Sequence, residues 1–273
     1  MLSTEFPAAN HLQLARLFSK EGAVSAKPTY ELINPQGRFP LILTCEHASY
    51  ALPAAYQRLG VMESEIQRHI GWDIGARAVV AQLAQVLDAP AVCSGYSRLL
   101  IDCNRALSDH DLIVEQSDHT VIPRNLNLTD QERQRRIADF YDPYHEAVDT
   151  LVQSHAGQPL TLLSVHSFTP VLGKSERRFD LGVLFDAHDD LAHEVGQRLH
   201  HEGHRVRYNE PYSGYDGLIF SARTHGEKNG IVYLELEINQ RLIETPAGAA
   251  RMGTAVGHVC RALFATKSDN DKQ

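Results

Sequence analysis

The chain has 273 residues, of which 43% are hydrophobic and 22% charged, and its formal net charge is −8 at pH 7. This composition is ordinary for a soluble globular protein and excludes collagen-like, coiled-coil and disordered chains. The acidic balance leaves no basic excess for phosphate groups, so we expect no nucleic-acid partner. No apolar run approaches the roughly 18 residues of a membrane span, so we expect no membrane association. A soluble enzyme or a binding domain remains.

The four cysteines are scattered along the chain, with no CxxC pair and no short spacing typical of a disulfide scaffold. We therefore expect reduced thiols and a cytoplasmic location. The oligomeric state stays open.

Strand-like and helix-like segments alternate along the chain. In the first half of the chain we predict a surface helix at about 10–20, a strand at 41–45, a short helix ending at Gly71, a helix from about Asp73 to Asp88, and strands at 89–93 and 99–103. In the second half we predict helices at 129–141, 142–155, 188–202 and about 247–265, and strands at 160–165, 181–185, 205–208 and 231–238. The polar segment 106–128 has a length typical of lids or disordered loops. Thr129 begins a capping box, and Asp142–Pro143 is expected to begin a second helix.

This alternation, with branched apolar residues in the strands, predicts a single α/β domain over residues 30–265. We expect a largely parallel sheet that helices cover on both faces. Residues 1–29 are expected to form a surface extension, and the polar residues 266–273 a disordered tail.

Residues of catalytic type follow several of the predicted strands. They are His47 after the strand 41–45, Asn104 and Arg105 after the strand 99–103, His166 after the strand 160–165, and Glu237 near the end of the strand 231–238. Because the carboxyl ends of parallel strands meet at one edge of a sheet, where ligands bind, these side chains are expected to lie together. Such a set is typical of metal-assisted amide hydrolysis beside a carboxylate-binding site.

The chemistry follows from the residue types. Two neutral imidazoles and one carboxylate suit Zn²⁺ and leave a position for water, whose pKa the metal lowers to roughly 7. A nearby glutamate can take the proton of that water and pass it to the leaving nitrogen. The planar guanidinium of Arg105 matches a substrate carboxylate.

Each candidate also has a purely structural interpretation. A single histidine at a strand end is most often structural, Asp73 could cap the helix that follows it, and Arg105 could be an ordinary ion-pair partner. Glu237 shares its strand with Glu235, so that one of the two could face water. From residue types alone, the choice between an enzyme and a binding domain stays open.

Six motifs in order make the chain similar to the N-formylglutamate amidohydrolase family, specifically to the branch with CEHAS in place of PHAG. They are CEHASYALP at 45–53, GWDIGA at 71–76, YSRLLIDCNR at 96–105, HSFTP at 166–170, NEPYSG at 209–214 and LEINQRLI at 236–243. The resemblance covers about residues 30–265. It implies a three-layer sandwich similar to zinc-dependent exopeptidases (phosphorylase/hydrolase-like), with a mixed, largely parallel sheet. It also implies hydrolysis of N-formyl-L-glutamate to formate and glutamate, a step of one histidine-degradation route.

The resemblance implies a metal site as well. His47 and His166 match the histidines that hold the metal, which we expect to be one Zn²⁺ ion, with Co²⁺ and Mn²⁺ as alternatives. More distant carboxypeptidase-like enzymes use an HxxE pair, but here Tyr50 takes the place of that glutamate. Asp73, or else Glu46, must then supply the carboxylate, and we favour Asp73.

The remaining implied roles concern the substrate and the proton. Glu237 matches the general base, and Arg98 is expected to help stabilise the oxyanion. The expected substrate-binding residues are Asn104, Arg105, Asn209 and Tyr212. The expected enzyme is a metal-dependent amidohydrolase acting on a linear amide. The alternatives are an N-acyl amino acid deacylase of the aspartoacylase or succinylglutamate desuccinylase kind, and a non-catalytic domain that binds carboxylates or metal on the same fold.

Overall fold

The computed structural model describes residues 28–265, so the helix predicted at about 10–20 and the tail predicted at 266–273 lie outside the described residues. The strands are β1 (Tyr30–Ile33), β2 (Leu41–Cys45), β3 (Ala91–Ser94), β4 (Gln116–Ser117), β5 (Thr120–Val121), β6 (Thr161–Phe168), β7 (Val171–Leu172), β8 (Ser175–Glu176), β9 (Leu181–Leu184), β10 (Val206–Tyr208) and β11 (Val232–Asn239). The α-helices are α1 (Glu63–Ile66), α2 (Ala76–Leu87), α3 (Asp130–Arg136), α4 (Asp142–Ser154), α5 (Asp189–His201), α6 (Phe220–Asn229) and α7 (Pro246–Phe264).

A seven-stranded sheet in the order β1-β3-β2-β6-β11-β9-β10 forms the centre of the protein. Its middle strands β3, β2, β6 and β11 run parallel, whereas β1 is antiparallel to β3 and β9 is antiparallel to β11. Helices α2, α5 and α7 pack on one face through one apolar cluster, and α4 and α6 pack on the other face through a second cluster. The expected three-layer sandwich with a mixed, largely parallel sheet is confirmed.

The middle strands are buried on both faces, and every residue of β2 and β6 is buried. Such strands read as continuous apolar runs, which is why β2 is visible in the sequence. In the register of the sheet, His166 of β6 lies beside Glu237 of β11, and Ser164 lies beside Glu235. The carboxyl half of these strands therefore places polar side chains together at one edge of an apolar sheet.

The segment 99–103, predicted as a strand, is an irregular loop. The carbonyl oxygens of Leu99 and Leu100 accept hydrogen bonds from the side chains of Asn125 and Arg136, at 2.9 and 3.0 Å. A segment whose carbonyls are satisfied by side chains can leave the sheet without burying unpaired polar groups. The apolar residues of this segment are nevertheless buried, which explains why the pattern resembles a strand.

The predicted N-cap at Thr129 is confirmed, because its Oγ1 accepts a hydrogen bond from the backbone N–H of Glu132 at 3.2 Å. The predicted cap at Asp142 is wrong. Helix α3 continues through a π-helical turn, Ile137–Tyr141, directly into α4, and Asp142 has helical φ and ψ angles of −57° and −46°. Pro143 lacks an N–H and disturbs i→i−4 bonding, and the wide turn before it accommodates the disturbance.

Several elements have no counterpart in the sequence predictions, namely β1, α6 and the hairpin β7–β8. Helix α6 is mostly polar and lacks a regular apolar stripe. The segment 106–128 is more regular than predicted, since it contains the hairpin β4–β5 and buries Leu112, Ile113 and Ile122. None of the helices between residues 28 and 265 is long and apolar enough to cross a membrane.

A half-buried histidine of α4, His145, contacts a buried histidine of α6, His225. His145 Nδ1 lies 2.8 Å from His225 Nε2, and His225 Nδ1 lies 2.8 Å from Oδ1 of Asp149. Burial, together with the neighbouring His225, lowers the pKa of His145 to about 3. The folded protein therefore keeps His145 neutral at pH values at which an unfolded chain, with a histidine pKa of about 6.5, binds a proton.

We expect His145 to contribute a fall in the free energy of unfolding as the pH drops from about 7.5 to about 5.5, because the unfolded chain then binds a proton that the folded His145 rejects. The His145→Asn variant should lose about 1 kcal/mol of that fall, whereas His201→Asn, which replaces an exposed histidine, should lose none of it. Guanidinium unfolding of chelator-treated samples at both pH values measures the difference. An equal change between the two pH values in the wild type and both variants would mean that folded His145 is protonated.

Candidate active site

Two histidines and one aspartate meet at the carboxyl edge of the middle strands. His47 follows β2, Asp73 lies in the loop before α2, and His166 lies in β6. All three are buried, and one ligand atom from each lies within 4.8 Å of the other two. Because β6 continues to Phe168, His166 lies within the strand and not after it, which corrects the predicted strand end. The structure thus brings together the three residues predicted as metal ligands.

The imidazole of each of these two histidines contacts a further carboxylate through Nε2, the ring nitrogen that points away from Asp73. His47 Nε2 lies 2.7 Å from Asp102 Oδ1, and His166 Nε2 lies 2.9 Å from Glu46 Oε2. On the inner side, Nδ1 of His166 is 2.8 Å and Nδ1 of His47 is 3.5 Å from Asp73 Oδ2. His47 Nδ1 and Asp73 Oδ1 have no hydrogen-bond partner. Carboxylates on the outer nitrogens therefore orient both rings with Nδ1 towards Asp73.

Glu46, the alternative ligand, lies behind His166 and outside the ligand group. Its carboxylate also accepts hydrogen bonds from Ser164 Oγ at 2.6 Å and from the Tyr144 hydroxyl at 2.8 Å. Burial opposes its charge, but the contact with His166 and the two hydroxyls hold the pKa of Glu46 well below its usual range. Glu46 is thus a buried, ionised partner of a histidine.

Asp73 faces the two histidines instead of capping α2, because Gly75 occupies the N-cap position with a φ of 85°. Asp73 Oδ2 additionally accepts a hydrogen bond from the backbone N–H of Ser167 at 3.1 Å. Burial disfavours its charge, but His47 and His166 hold the pKa of Asp73 well below its usual range. Asp73 is therefore an ionised carboxylate directed into the group.

Arg98 contacts two of the carboxylates. Its Nη2 lies 2.7 Å from Asp102 Oδ2, and its Nη1 lies 3.8 Å from Asp73 Oδ1. Although burial disfavours the cation, both aspartates raise the pKa of Arg98 above its ordinary value. Because Asp102 also contacts His47, the guanidinium is linked to the orientation of that ring.

Two glutamates of β11 point into the same site, because residues two positions apart share one face of a strand. Glu235 and Glu237 are 2% and 4% exposed, so the alternative interpretation, in which one of them faces water, is wrong. Glu235 Oε2 accepts a hydrogen bond from Asn104 Nδ2 at 3.2 Å, whereas Glu237 Oε2 has no partner. Burial raises the pKa of Glu235 to about 7 and that of Glu237 well above its usual range. Glu237 therefore holds a carboxyl oxygen that is not committed to the protein.

A cavity of about 110 Å³, which we call the inner cavity, lies in front of these residues. Both glutamates, the three candidate ligands and Arg98 line it, together with Asn104, Arg105 and Tyr212. The Nε of Arg105 lies 3.1 Å from Asp111 Oδ2, so Arg105 both forms an ion pair and faces the cavity. The ring of Tyr212 packs against Arg177, whose guanidinium carbon is 5.3 Å from the ring centre.

Two of the predicted substrate-binding residues, Asn104 and Asn209, use their side-chain amides for hydrogen bonds within the protein. Asn104 lines the inner cavity, but its Oδ1 accepts from the backbone N–H of Ser221 at 2.9 Å and its Nδ2 donates to Leu218 and Glu235. Asn209 does not line the inner cavity. Its Oδ1 accepts backbone N–H groups at 3.0 and 3.1 Å and so braces the loop that leads to Tyr212.

Sequence reasoning missed the roles of Asp102 and Tyr144, and that of Glu46 as a histidine partner. A signal for Asp102 was present, since it is a charged residue within the apolar run LLIDC. Such residues are rarely buried unless they are paired, so a buried partner was to be expected. Tyr144 gives no such signal, because its hydroxyl reaches Glu46 from a helix 98 residues further along the chain.

A mixed sheet between helix layers, with a buried His–Asp–His group and two buried glutamates at its carboxyl edge, defines an α/β protein with a hydrolase-type site. A sequence profile of the N-formylglutamate amidohydrolase family matches residues 39–244. The chain belongs to this family, which confirms the resemblance found in the sequence and supports hydrolase activity.

Two solved structures extend the comparison. The gene product Atu2144 from Agrobacterium tumefaciens shares 29% sequence identity with a TM-score of 0.83, over 87% of this chain and 95% of that one. The N-formylglutamate amidohydrolase from Ralstonia eutropha JMP134 shares 21% identity with a TM-score of 0.69, over 89% and 99% of the two chains, and shows the same fold. A comparison with curated proteins gives no match.

Proposed function

We propose that the protein is a metal-dependent amidohydrolase that cleaves the amide bond of an N-acyl amino acid, with N-formyl-L-glutamate as its substrate and formate and glutamate as products. The observation that carries the proposal is the group His47, Asp73 and His166, whose ligand atoms lie within 4.8 Å of one another beside Glu237. Family membership supports the reaction class.

The residues fit one divalent ion, for which we propose Zn²⁺, with Co²⁺ and Mn²⁺ as alternatives. Imidazole nitrogen and carboxylate oxygen are donors that Zn²⁺ prefers, and three of them leave a position open. The unpartnered His47 Nδ1 and Asp73 Oδ1 are the atoms that a cation would satisfy. Nearby carboxylates also raise the pKa of His166 well above its usual range despite its burial, which indicates a site that attracts positive charge. When bound, the ion would polarise the substrate carbonyl and lower the pKa of water.

Glu237 has the geometry of the proton-transferring group. Burial raises the pKa of Glu237, but a bound cation beside it would favour the ionised carboxylate. Its unpartnered Oε2 would then take a proton from the attacking water as the water oxygen forms the new bond to the carbonyl carbon. The same proton would then pass to the amide nitrogen as the carbon–nitrogen bond breaks, so that the amine leaves neutral. Arg98, which lines the inner cavity, would stabilise the negative charge on the carbonyl oxygen.

Arg105 and Tyr212 line the inner cavity and are proposed to hold the amino-acid part of the substrate, Arg105 by its guanidinium. Asn104 would help to position the substrate beside them, and Asn209 would do so indirectly, by holding the loop that carries Tyr212.

Arg105→Ala should raise KM for N-formyl-L-glutamate by about tenfold to a hundredfold, with a small change in kcat. Arg178→Ala, at an exposed arginine, is the control. If KM is unchanged, another residue binds the substrate carboxylate.

The test of the proposal is the release of glutamate from N-formyl-L-glutamate by zinc-loaded protein and by the same protein after chelation. Turnover that is lost on chelation and restored by added metal is the expected result. If the protein retains about one zinc ion but gives no turnover, the proposed substrate is wrong and the proposed metal site stands. Protein that binds no metal would favour the alternative of a carboxylate-binding domain.

A cytoplasmic role in histidine degradation is part of the proposal. The four cysteines are buried and free, which fits the reducing compartment expected from the sequence.

A further inference from the structure

A second cavity of about 780 Å³, which we call the outer cleft, adjoins the inner cavity. Four residues line both spaces, namely His69, Arg98, Arg105 and Tyr212. The proposed reaction gives a role to three of them, Arg98 at the carbonyl oxygen and Arg105 and Tyr212 at the amino-acid part of the substrate. His69 has no role in that reaction, although it borders both the space in front of the candidate ligands and the outer cleft.

We propose that the imidazole of His69 is a steric wall that restricts the acyl group of the substrate to formyl. This inference rests on the proposed amidohydrolase function of the inner cavity and names the residue that sets the size of the acyl group in that site.

His69 lies on the Asp73 side of the site. Its Nδ1 is 3.9 Å from Asp73 Oδ1, and the Nη1 of Arg98 is 3.8 Å from the same oxygen. His69 Nδ1 is buried and has no hydrogen-bond partner, so no hydrogen bond through this atom draws the ring away from the inner cavity. The imidazole therefore borders the space beside one of the candidate ligands.

Arg105 lies on the other side of Arg98. Arg98 Nη2 is 2.7 Å from Asp102 Oδ2, and Asp102 Oδ1 accepts a hydrogen bond at 2.8 Å from the backbone N–H of Asn104, the residue before Arg105. A substrate whose carboxylate is bound by Arg105 and whose carbonyl oxygen lies at Arg98 therefore directs its acyl substituent towards His69. In a formyl group that substituent is a hydrogen atom, whereas every other acyl group places a carbon atom there.

The turn that carries His69 is fixed by hydrogen bonds. The carbonyl oxygen of Gly71 accepts a hydrogen bond from Ser97 Oγ at 2.7 Å, and the indole N–H of Trp72 donates to the carbonyl oxygen of Gln67 at 3.0 Å. A Cβ at Gly71 would lie 2.0 Å from a backbone carbonyl oxygen, so the turn is also closely packed. A wall held in this way excludes a larger group, because a packed segment does not shift to admit extra atoms without a cost in free energy.

The experiment compares kcat/KM for N-acetyl- and N-formyl-L-glutamate in zinc-loaded wild type and in two variants, His69→Ala and His69→Leu. Alanine removes the bulk of the ring, whereas leucine keeps most of the bulk and removes the hydrogen-bonding atoms. We expect the wild type to favour the formyl substrate by at least about tenfold, and His69→Ala to raise the ratio of acetyl to formyl kcat/KM by about tenfold or more. His69→Leu should keep the ratio near its wild-type value.

The change of this ratio between proteins is the decisive quantity, because formyl amides are intrinsically more reactive than acetyl amides. A loss of zinc through the contact of His69 with Asp73 would lower both activities equally and leave the ratio unchanged. Where a variant turns over neither substrate, the ratio of the two dissociation constants, measured by calorimetry, replaces the kinetic ratio.

His119→Asn is the matched control. His119 lines the outer cleft but not the inner cavity, so the loss of its imidazole should leave the ratio at the wild-type value. Asparagine suits the φ of 63° at this position.

An unchanged ratio in His69→Ala would overturn the inference and leave the proposed function standing. An equal rise in His69→Ala and His69→Leu would also overturn it, because a hydrogen bond and not the bulk of the ring would then exclude the acetyl group. Equal kcat/KM values for the two substrates in the wild type would have the same consequence. Absence of turnover of N-formyl-L-glutamate by the wild type would overturn both the inference and the proposed function.

Discussion

Replacing Glu237 by glutamine is expected to lower kcat for N-formyl-L-glutamate by about a thousandfold while the protein keeps its metal. Glutamine has nearly the shape of glutamate but cannot take a proton from water, and general acid–base groups contribute about 10²–10⁴-fold. Glu237 is not one of the three candidate ligands, so the metal content should stay at the wild-type value. Steady-state kinetics and metal analysis of the same samples measure both quantities.

Two further variants sharpen this test. Glu244→Gln replaces an exposed glutamate beyond β11 and should retain wild-type kcat. Glu235→Gln changes the other buried glutamate of β11, whose Oε2 is already bound to Asn104, and should affect kcat less than Glu237→Gln. Should Glu235→Gln abolish turnover while Glu237→Gln retains it, the base would be Glu235.

Replacing Asp73 by asparagine is expected to weaken zinc binding by more than a hundredfold and to reduce turnover in proportion to the metal lost. The change keeps the shape of the side chain but removes the negative ligand atom that lies between the two imidazoles. Glu46→Gln, which changes the carboxylate behind His166, should weaken zinc binding by only about 10–100-fold, as expected for a residue that orients a ligand.

Zinc affinity measured by competition with a chromophoric chelator separates these two carboxylates without reference to activity. If Glu46→Gln loses more affinity than Asp73→Asn, the ligand and the orienting residue are exchanged. Circular dichroism of both variants shows whether a loss of affinity follows from unfolding.

Sequence alone was sufficient for the architecture. Branched apolar runs such as β2, together with amphipathic helices such as α5 and α7, indicated an α/β sandwich, because burial on both faces leaves a continuous apolar signature. The same signature led to the wrong prediction of a strand at 99–103, where the side chains of Asn125 and Arg136 donate hydrogen bonds to backbone carbonyl groups. An apolar run records burial but not the partner of its carbonyl groups.

Most of the candidate site residues, two ligands and the proton-transferring glutamate, were predictable for a related reason. His47, His166 and Glu237 lie at the carboxyl ends of parallel strands, and the parallel arrangement of those strands brings their ends to one edge. The motifs of the family added Asp73, which strand position does not single out. These residues are therefore encoded locally, by residue type and by position in an element.

The partners of the ligands were decided only by the tertiary structure. Asp102 and His47 are 55 residues apart, and Glu46 and His166 are 120 residues apart, yet each pair shares a short hydrogen bond. Any ionised carboxylate can bind an imidazole, so residue type does not select among the chain's 34 acidic residues. The path of the backbone selects them, because it determines which carboxylate is buried within reach of each ring.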